Sequence, residues 1–225
     1  MKSFRAALSL FAVVLACAAT PEAQGAVLLN DTFDAENGGV GHAVYSGFAN
    51  FTAADVDLLG PTFFANLCQA AGHNNLCVDM EGNGNGSLTT KTAYALGTGS
   101  ANIQFDLAGD QRSGRNNTVT VSLVTPAAQV LFSEQFALED PASFRTISRK
   151  VSIATPTTAF LRFESGGPAD SFGLLLDNVV LSAEAGTNPG PGPDSNIPEP
   201  AGVLLMVAGL LGAGMVRGRW GSQPA

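Results

Sequence analysis

The sequence predicts an all-β protein, an antiparallel β-sandwich followed by one C-terminal transmembrane helix. Between residues 27 and 186, short runs of alternating apolar and polar residues are broken by Gly, Asn, Asp and Pro, as in half-buried strands. No stretch of that region keeps a helical period for three turns. Many short strands joined by such turns are typical of sandwiches, and one long charge-free run near the C-terminus indicates the helix.

The first 26 residues have the features of a secretory signal peptide. Lys2 and Arg5 precede an apolar segment over 6–19, and small residues follow at 23–26. A charged start, a short apolar run and a small-residue cleavage zone direct a chain to export. We predict cleavage after Gly25 or Ala26, so that the protein acts outside the cytoplasm.

The next 160 residues, 27–186, are predicted to form the sandwich as a single ectodomain. The clearest strand is 118–124, in which Val119, Val121 and Leu123 share one face. The predicted strands are 27–33, 56–59, 76–80, 88–95, 101–107, 118–124, 130–137, 144–153, 159–164 and 173–182. The length of the region is sufficient for one domain with a sizeable core.

Two cysteines remain after removal of the signal peptide, Cys68 and Cys77. In an oxidising compartment, a lone pair this close in sequence is expected to form a disulfide. The bond would close a loop that contains His73 and would stabilise the fold by roughly 2–3 kcal/mol. The alternative is a metal site of His73 with two thiolates, although the spacing is not that of a zinc knuckle and further ligands are hard to find.

The charge of the ectodomain and stalk excludes two classes of partner. Residues 27–196 contain 17 acidic and 7 basic residues, a net charge near −10. Such a surface repels nucleic acid and anionic lipid headgroups. The balance is compatible with an exported soluble domain or with one that binds divalent cations.

The chain after the ectodomain is predicted to be a stalk and then a membrane helix. Residues 187–197 are rich in Pro and Gly, a composition that gives a stiff, extended segment rather than a core. Residues 201–216 carry no charge, and with the flanking apolar residues and the long stems of Arg217 and Arg219 they suffice to span a bilayer. The basic pair places the C-terminus in the cytoplasm. A buried core helix is the alternative, but it would need one polar face, and this run has none.

The C-terminal segment 198–220 resembles the PEP-CTERM sorting signal of Gram-negative bacteria. Its Pro-Glu-Pro motif is Pro198, Glu199 and Pro200, its helix is 201–216, and its basic residues are Arg217 and Arg219. The resemblance implies export across the inner membrane, recognition by an exosortase, and cleavage near the motif. A membrane-anchored precursor would then give a protein of the cell surface or the extracellular matrix.

The ectodomain is similar to a domain common among PEP-CTERM proteins, itself similar to jelly-roll carbohydrate-binding modules with a galactose-binding-like fold. The similarity is carried in order by the blocks at 48–52, 55–60, 77–82, 103–112 and 173–179. The resemblance implies a structural or adhesive role linked to exopolysaccharide or biofilm. It gives a fold and a destination for the protein but no ligand.

The same resemblance implies a structural calcium ion between the first and last strands, which often lie side by side in a jelly roll. The implied ligands are Asp34 and Asp177, with Asp31, Glu36 and Asn178 behind them. Carboxylate and amide oxygens suit calcium, which takes six to eight oxygen ligands. The alternative is that Asp177 accepts a hydrogen bond from a backbone amide in a turn while Asp34 faces solvent.

A glycan ligand would need aromatic platforms, because sugar rings stack on Trp or Tyr. The only Trp, Trp220, follows the predicted membrane helix, so Tyr45 and Tyr94 are the candidate ligand-binding residues. The alternative is that aromatic rings pack the sandwich.

Catalysis has little support in the sequence. No G-x-S-x-G or H-E-x-x-H motif is present, and the two histidines, His42 and His73, lie next to glycine in loop-like segments. The pairs Asp55 with Asp57 and Asp79 with Glu81 resemble the two carboxylates of a glycosidase, but a cleft lined by aromatic residues is missing. We expect no enzyme but an exported surface or matrix protein; the alternatives are a carbohydrate-binding module and a secreted hydrolase.

Overall fold

The computed structural model describes residues 25–64, 67–73, 75–112 and 116–185. The stalk, the sorting motif and the membrane helix predicted for 187–220 lie outside the described residues, as does the predicted signal peptide up to residue 24. Within the described ranges, no helix has the length and apolar character that a bilayer crossing requires.

The described residues form twelve β-strands, one 3₁₀ helix (Glu36–Gly39) and one short α-helix, α1 (Leu67–Ala70). The strands are β1 (Ala26–Asp31), β2 (Phe51–Ala54), β3 (Asp57–Leu59), β4 (Cys77–Asp79), β5 (Ser87–Thr90), β6 (Tyr94–Leu96), β7 (Gly99–Ala108), β8 (Thr118–Val124), β9 (Val130–Ala137), β10 (Arg145–Ile153), β11 (Thr157–Gly166) and β12 (Leu175–Ala185).

The strands form two antiparallel sheets, which confirms the predicted sandwich. Sheet A has the order β10-β7-β12-β4-β3, with β1 also paired to β12. Sheet B has the order β2-β5-β11-β8-β9, with β6 also paired to β11. Four neighbouring strands of each sheet, β4-β12-β7-β10 and β5-β11-β8-β9, have the chain order of two interlocked Greek keys. The sandwich is therefore a jelly roll, as the resemblance implied.

The core lies between the inner faces of the two sheets and is rich in phenylalanine. Phe105 of sheet A packs edge-to-face on Phe163 of sheet B at 5.5 Å, and Phe163 in turn contacts Phe51 at 6.5 Å. All three rings are fully buried. Every second side chain of a strand points inward, so the alternating apolar residues of the sequence pack together as one core layer between the two sheets.

Most of the predicted strands are confirmed, two of them to the residue: 118–124 is β8 and 130–137 is β9. One prediction was wrong, since 88–95 is two strands, β5 and β6. The Thr90 hydroxyl donates a hydrogen bond to the carbonyl oxygen of Thr92 and accepts one from the amide of Leu161 on β11, and these bonds turn the chain out of the sheet between β5 and β6. The strand β2 was missed, because its four residues contain one large apolar side chain, Phe51, and so show no clear alternation.

The predicted disulfide is confirmed. Cys68 at the start of α1 is bonded to Cys77 at the start of β4, with Cα atoms 5.8 Å apart. Both sulfur atoms are in the disulfide, so they are not available as thiolates for the alternative metal site with His73. Its loop contains His73 and docks on sheet A through the amide of Phe144, which donates to the carbonyl of Ala71 at 2.8 Å.

Candidate functional site

The candidate site lies at a bulge in β12, the central strand of sheet A. The register between β12 and β7 shifts between Asp177 and Val180, and Asn178 adopts a left-handed conformation with φ 50°. Asn tolerates this conformation better than most residues. The Asp177 carboxylate accepts the amide hydrogen of Asn178 at 2.7 Å, as the hydrogen-bonding alternative to calcium predicts.

The disulfide loop places an imidazole on this bulge. His73 Nδ1 lies 2.6 Å from Asp177 Oδ2, although the two residues are 104 positions apart in sequence. The imidazole ring stacks on Phe144 with centroids 4.0 Å apart. Asp177 is only 3% exposed, whereas the His73 side chain is 24% exposed and therefore reaches solvent.

A second carboxylate lies on the other side of the imidazole. Asp106 Oδ2 is 3.6 Å from His73 Nε2 and accepts a hydrogen bond from the Asn178 side-chain amide at 2.8 Å. Its other oxygen accepts a hydrogen bond from the Thr146 hydroxyl at 2.6 Å. Three strands of sheet A, β7, β10 and β12, thus contribute to one polar network around a single histidine.

The third carboxylate of the site comes from the turn after β1. Asp34 accepts hydrogen bonds from the Asn75 side-chain amide at 3.2 Å and from the amide of Leu76 at 3.3 Å. With Gly72, His73, Asp177 and Asn178, these groups line an open cleft of ≈ 380 Å³. The disulfide loop therefore contacts both of the residues that were predicted as the main calcium ligands.

Burial is the main influence on the protonation of Asp177. Removal from water raises the pKa of its carboxyl to about 6, and the hydrogen bond from His73 opposes that rise. The neighbouring negative charge of Asp34 raises the pKa further. The carboxyl is therefore easier to protonate than an exposed aspartate.

The other predicted calcium ligands lie elsewhere. Asp31 accepts hydrogen bonds from the amide of Phe33 at 2.9 Å and from the side chain of Asn50 at 3.0 Å. Glu36 is buried and accepts the amide hydrogen of Ala49 at 2.7 Å. Both carboxylates hold the chain between β1 and β2 in place instead of facing the cleft.

The predicted set therefore does not form one ligand cage in this structure. Only Asp34, Asp177 and Asn178 share a cleft, and His73 and Asn75 bind the two carboxylates there. Over the described ranges, no group of three or more His, Cys, Asp or Glu side chains is arranged to hold a metal ion. Calcium stays a prediction, and the ion would have to displace contacts that the protein already makes.

Both tyrosines predicted as glycan platforms pack partly against the core. The Tyr45 ring lies 4.8 Å from Phe48 in an edge-to-face contact, and its hydroxyl is 3.5 Å from Glu36. Tyr94 is in β6, and burial followed by the charge of Asp31 raises the pKa of its hydroxyl. The aromatic-packing alternative therefore describes their surroundings better than an exposed platform does.

The carboxylate pairs that resembled a glycosidase are not exposed pairs. Asp79 and Glu81 are fully buried, and Asp57 is 6% exposed. Asp55 is exposed in a turn with φ 48°, whereas the Asp57 carboxylate accepts the amide hydrogen of Val44 at 2.7 Å. Neither pair presents two carboxylates to one open cleft.

Arg112 neutralises part of this buried acidic region. Its guanidinium is 2.6 Å from Asp79 and 3.9 Å from Asp110, and it lies 4.6 Å from the centroid of the Phe172 ring. Arg112 is therefore close to two buried carboxylates at once. Burial nevertheless raises the pKa of Asp79 to about 7, because the favourable charge of Arg112 does not compensate for the loss of water.

A second candidate surface is the outer face of sheet A, defined here by the outward residues of β7, β10 and β12. Cross-strand rows run from Ser148 through Gln104 to Val180 and from Lys150 through Asn102 to Ser182. They line a shallow depression of ≈ 340 Å³ with hydroxyl, amide and ammonium groups, and no aromatic ring is among its described lining residues. The adjoining row, Thr146 with Asp106, leads into the His73 cleft.

Sequence reasoning found Asp34 and Asp177 but missed His73 as their neighbour. The histidine was interpreted as a loop residue, and the partner that orients it is distant in the chain. One signal was available: the predicted disulfide fixes the loop that carries His73 close to β4, which lies beside β12 in a jelly roll.

Comparisons with known proteins find solved structures with a similar fold but do not assign the chain to a family. No family model matches the chain, and no curated protein matches it. Among solved structures, a cleaved adhesin domain of Lys-gingipain from Porphyromonas gingivalis matches with 19% identity, a TM-score of 0.43, and coverage of 70% of this chain and 99% of that domain. A family 6 carbohydrate-binding module of a laminarinase from Zobellia galactanivorans gives 13% identity, a TM-score of 0.39, and coverage of 64% and 99%.

A family 35 carbohydrate-binding module from Clostridium thermocellum gives 9% identity, a TM-score of 0.36, and coverage of 63% of this chain and 97% of the module. Similarity at this level transfers no ligand or activity to the chain.

The buried Asp79 predicts a pH dependence of stability. Its pKa is about 7 in the folded state and 3.8 without burial, so between these values the folded state holds a proton that the unfolded state has lost. The contribution of Asp79 to stability is therefore complete below about pH 4 and is lost as the pH rises to about 7. We expect the unfolding free energy to increase from pH 8 to pH 5 in urea titrations.

Asp79→Asn should flatten that increase by up to about 1 kcal/mol per pH unit, because the amide does not titrate. Asp55→Asn is the matched control, since it removes an exposed aspartate and leaves the buried carboxyl of Asp79 in place. A wild-type stability that falls from pH 8 to pH 5 would contradict the raised pKa of Asp79.

The His73 contact predicts how calcium would act on the domain. Because His73 and Asn75 bind the carboxylates of Asp177 and Asp34, a calcium ion would compete with them. We expect millimolar calcium to raise the melting temperature of His73→Ala more than that of the wild-type protein, since a ligand that binds only the native state stabilises it. Asp177→Asn in the His73→Ala background should abolish the shift. No shift in any variant would remove calcium from consideration.

Proposed function

We propose that the chain is an exported protein of the cell surface or extracellular matrix with a structural or adhesive role, and that the outer face of sheet A contacts a glycan. The disulfide between Cys68 and Cys77 supports the compartment, because such bonds persist in oxidising environments. The sorting signal at 198–220 is part of the same proposal, with an exosortase as the processing partner.

The observation that carries the glycan proposal is the composition of the outer face of sheet A. Gln104, Ser148 and Lys150 are exposed there beside the half-buried Asn102 and Ser182. Side-chain amides and hydroxyls donate and accept hydrogen bonds, as sugar hydroxyls do. The extended rows of a sheet match an extended polysaccharide chain better than a small, enclosed ligand.

The charge of this face favours a neutral or mixed-charge polysaccharide. The Lys150 ammonium is paired with Glu184 at 2.8 Å, and Arg149 is paired with Glu134 at 2.6 Å. Each cation near the depression thus has its own carboxylate, so the face offers hydrogen bonds rather than net positive charge. Without a stacking ring, binding at one site is expected to be weak, and adhesion would depend on many copies acting together.

A non-catalytic role is part of the proposal. The cleft histidine is bound to Asp177, and the carboxylate pairs considered for hydrolysis are buried or turned apart. A carbohydrate-binding module remains the second candidate, because the same polar face would serve it. The two differ in whether glycan binding is the main activity or one contact of a structural protein.

Intact-mass analysis of the mature protein from its native host tests the sorting proposal. We expect an N-terminus at residue 26 or 27, a C-terminus near Pro198–Pro200 without the apolar run 201–216, and a mass lower by two hydrogens for the disulfide. Any added mass at the C-terminus would identify reattachment. A protein that retains both apolar segments would contradict the proposal.

Binding to the host exopolysaccharide tests the glycan surface. We expect Gln104→Ala with Ser148→Ala to weaken binding about tenfold, because two or three lost hydrogen bonds at about 0.5–1.5 kcal/mol each are involved. Thr52→Ala with Thr89→Ala, on the outer face of sheet B, is the matched control and should bind as the wild type does.

Two outcomes would redirect the proposal. Binding that survives on the sheet A variant but is lost in Tyr45→Ala or Tyr94→Ala would place the glycan on the tyrosines, as in a carbohydrate-binding module. Turnover of the polysaccharide that is lost in Asp55→Asn would support a hydrolase.

A further inference from the structure

The edges of the two sheets differ in how well they are protected. A strand with a free edge presents unpaired backbone groups that can bind another strand, and proteins prevent this with short edge strands, charges, prolines or bulges. Two of the strands that end the sheets, β2 and β3, have only four and three residues. The other two, β9 and β10, have eight and nine residues and lie at the same side of the sandwich.

β10 carries its own protection. It contains Arg145, Arg149 and Lys150, and Arg145 and Lys150 are exposed. Two copies of this strand placed side by side would bring several positive charges together, which is unfavourable. The free side of β1 is short as well and is interrupted by a bulge between Val27 and Leu29.

β9 has less of this protection, especially in its second half. It contains no lysine, arginine or proline, and its bulge is confined to the first residues, before Phe132. Its one charge, Glu134, is neutralised by Arg149, whose guanidinium donates to both carboxylate oxygens at 2.6 Å. The same guanidinium lies 5.1 Å from the centroid of the Phe136 ring, which fixes it at the edge. The segment 132–137 is thus a regular, electrically neutral edge among the described residues.

We propose that β9 pairs antiparallel with β9 of a second copy of this chain, which joins the B sheets of two molecules. Residues opposite each other in an antiparallel pair point to the same face of the sheet. A two-fold axis perpendicular to the sheet must therefore pass midway between the two copies of one residue, because two different neighbouring residues would point to opposite faces. The axis sets that residue opposite itself, and the choice of residue decides the register.

Glu134 and Gln135 lie at the centre of the regular segment 132–137, so an axis at either of them pairs five residues of each strand. Charge favours Gln135. An axis at Glu134 would set two carboxylates opposite each other, together with the two Arg149 guanidinium groups that bind them, so that like charges face like charges. An axis through Gln135 sets one exposed amide against another, Ser133 against Ala137, and Glu134 against Phe136. Ser133, Gln135 and Ala137 are exposed and small or neutral, so the joined outer face has no clash of charge. An isologous contact of this kind closes as a dimer.

Cross-linking tests the register directly. Gln135→Cys in the mature exported protein should form an intermolecular disulfide on mild oxidation, because the paired positions face each other at a Cα distance of about 4.5–5.5 Å. Ser148→Cys, an exposed position on sheet A, is the matched control and should remain monomeric in non-reducing gels. Both added cysteines leave the native disulfide intact.

Sedimentation supplies the second measurement. The wild-type protein is expected to sediment as a dimer at high micromolar concentration and Gln135→Lys as a monomer, because the substitution sets two ammonium groups opposite each other. Gln135→Thr should keep the dimer. A monomeric wild type whose Gln135→Cys variant does not cross-link would overturn the proposal, as would equal cross-linking of both cysteine variants.

Discussion

The pairing of β12 with three other strands is the constraint on which the rest of this structure depends. β12 is bonded to β7 along one side, and to β4 and then β1 along the other. It therefore holds the first strand, the disulfide-linked strand and the central long strand in one sheet. The bulge at Asp177 and Asn178 lies in the middle of this strand, where the loop with His73, the turn with Asp34 and the carboxylate of Asp106 can reach it.

The polar network at the bulge and the buried acidic region around Arg112 show two solutions to one problem, the placement of carboxylates beside a core. At the bulge, Asp177 is bound by an imidazole that reaches solvent and lines an open cleft. Around Arg112, Asp79 has no exposure, and one guanidinium is shared between it and Asp110. The first arrangement suits a site that responds to its surroundings, and the second is a fixed part of the interior.

The sequence predicted the architecture better than the site, for a physical reason. Strands such as β8 can be recognised in the sequence, because Val119, Val121 and Leu123 alternate with hydroxyl residues. The sheet buries every second side chain, so this local pattern reflects the tertiary structure. β5 and β6 were merged because the hydroxyl of Thr90, which turns the chain out of the sheet, has no periodic signature. The bond from His73 to Asp177 joins residues that only the tertiary fold brings together, so no local pattern could reveal it.

The antiparallel pairing of β1 with β12 sets Ala26 beside Ala183, so the polypeptide enters and leaves the domain at the same end. A pull on the chain beyond β12 therefore runs along that strand, against rows of hydrogen bonds on both of its sides that must shear together. Force applied at that end would therefore be shared among many hydrogen bonds instead of breaking them one at a time, and the domain would resist it.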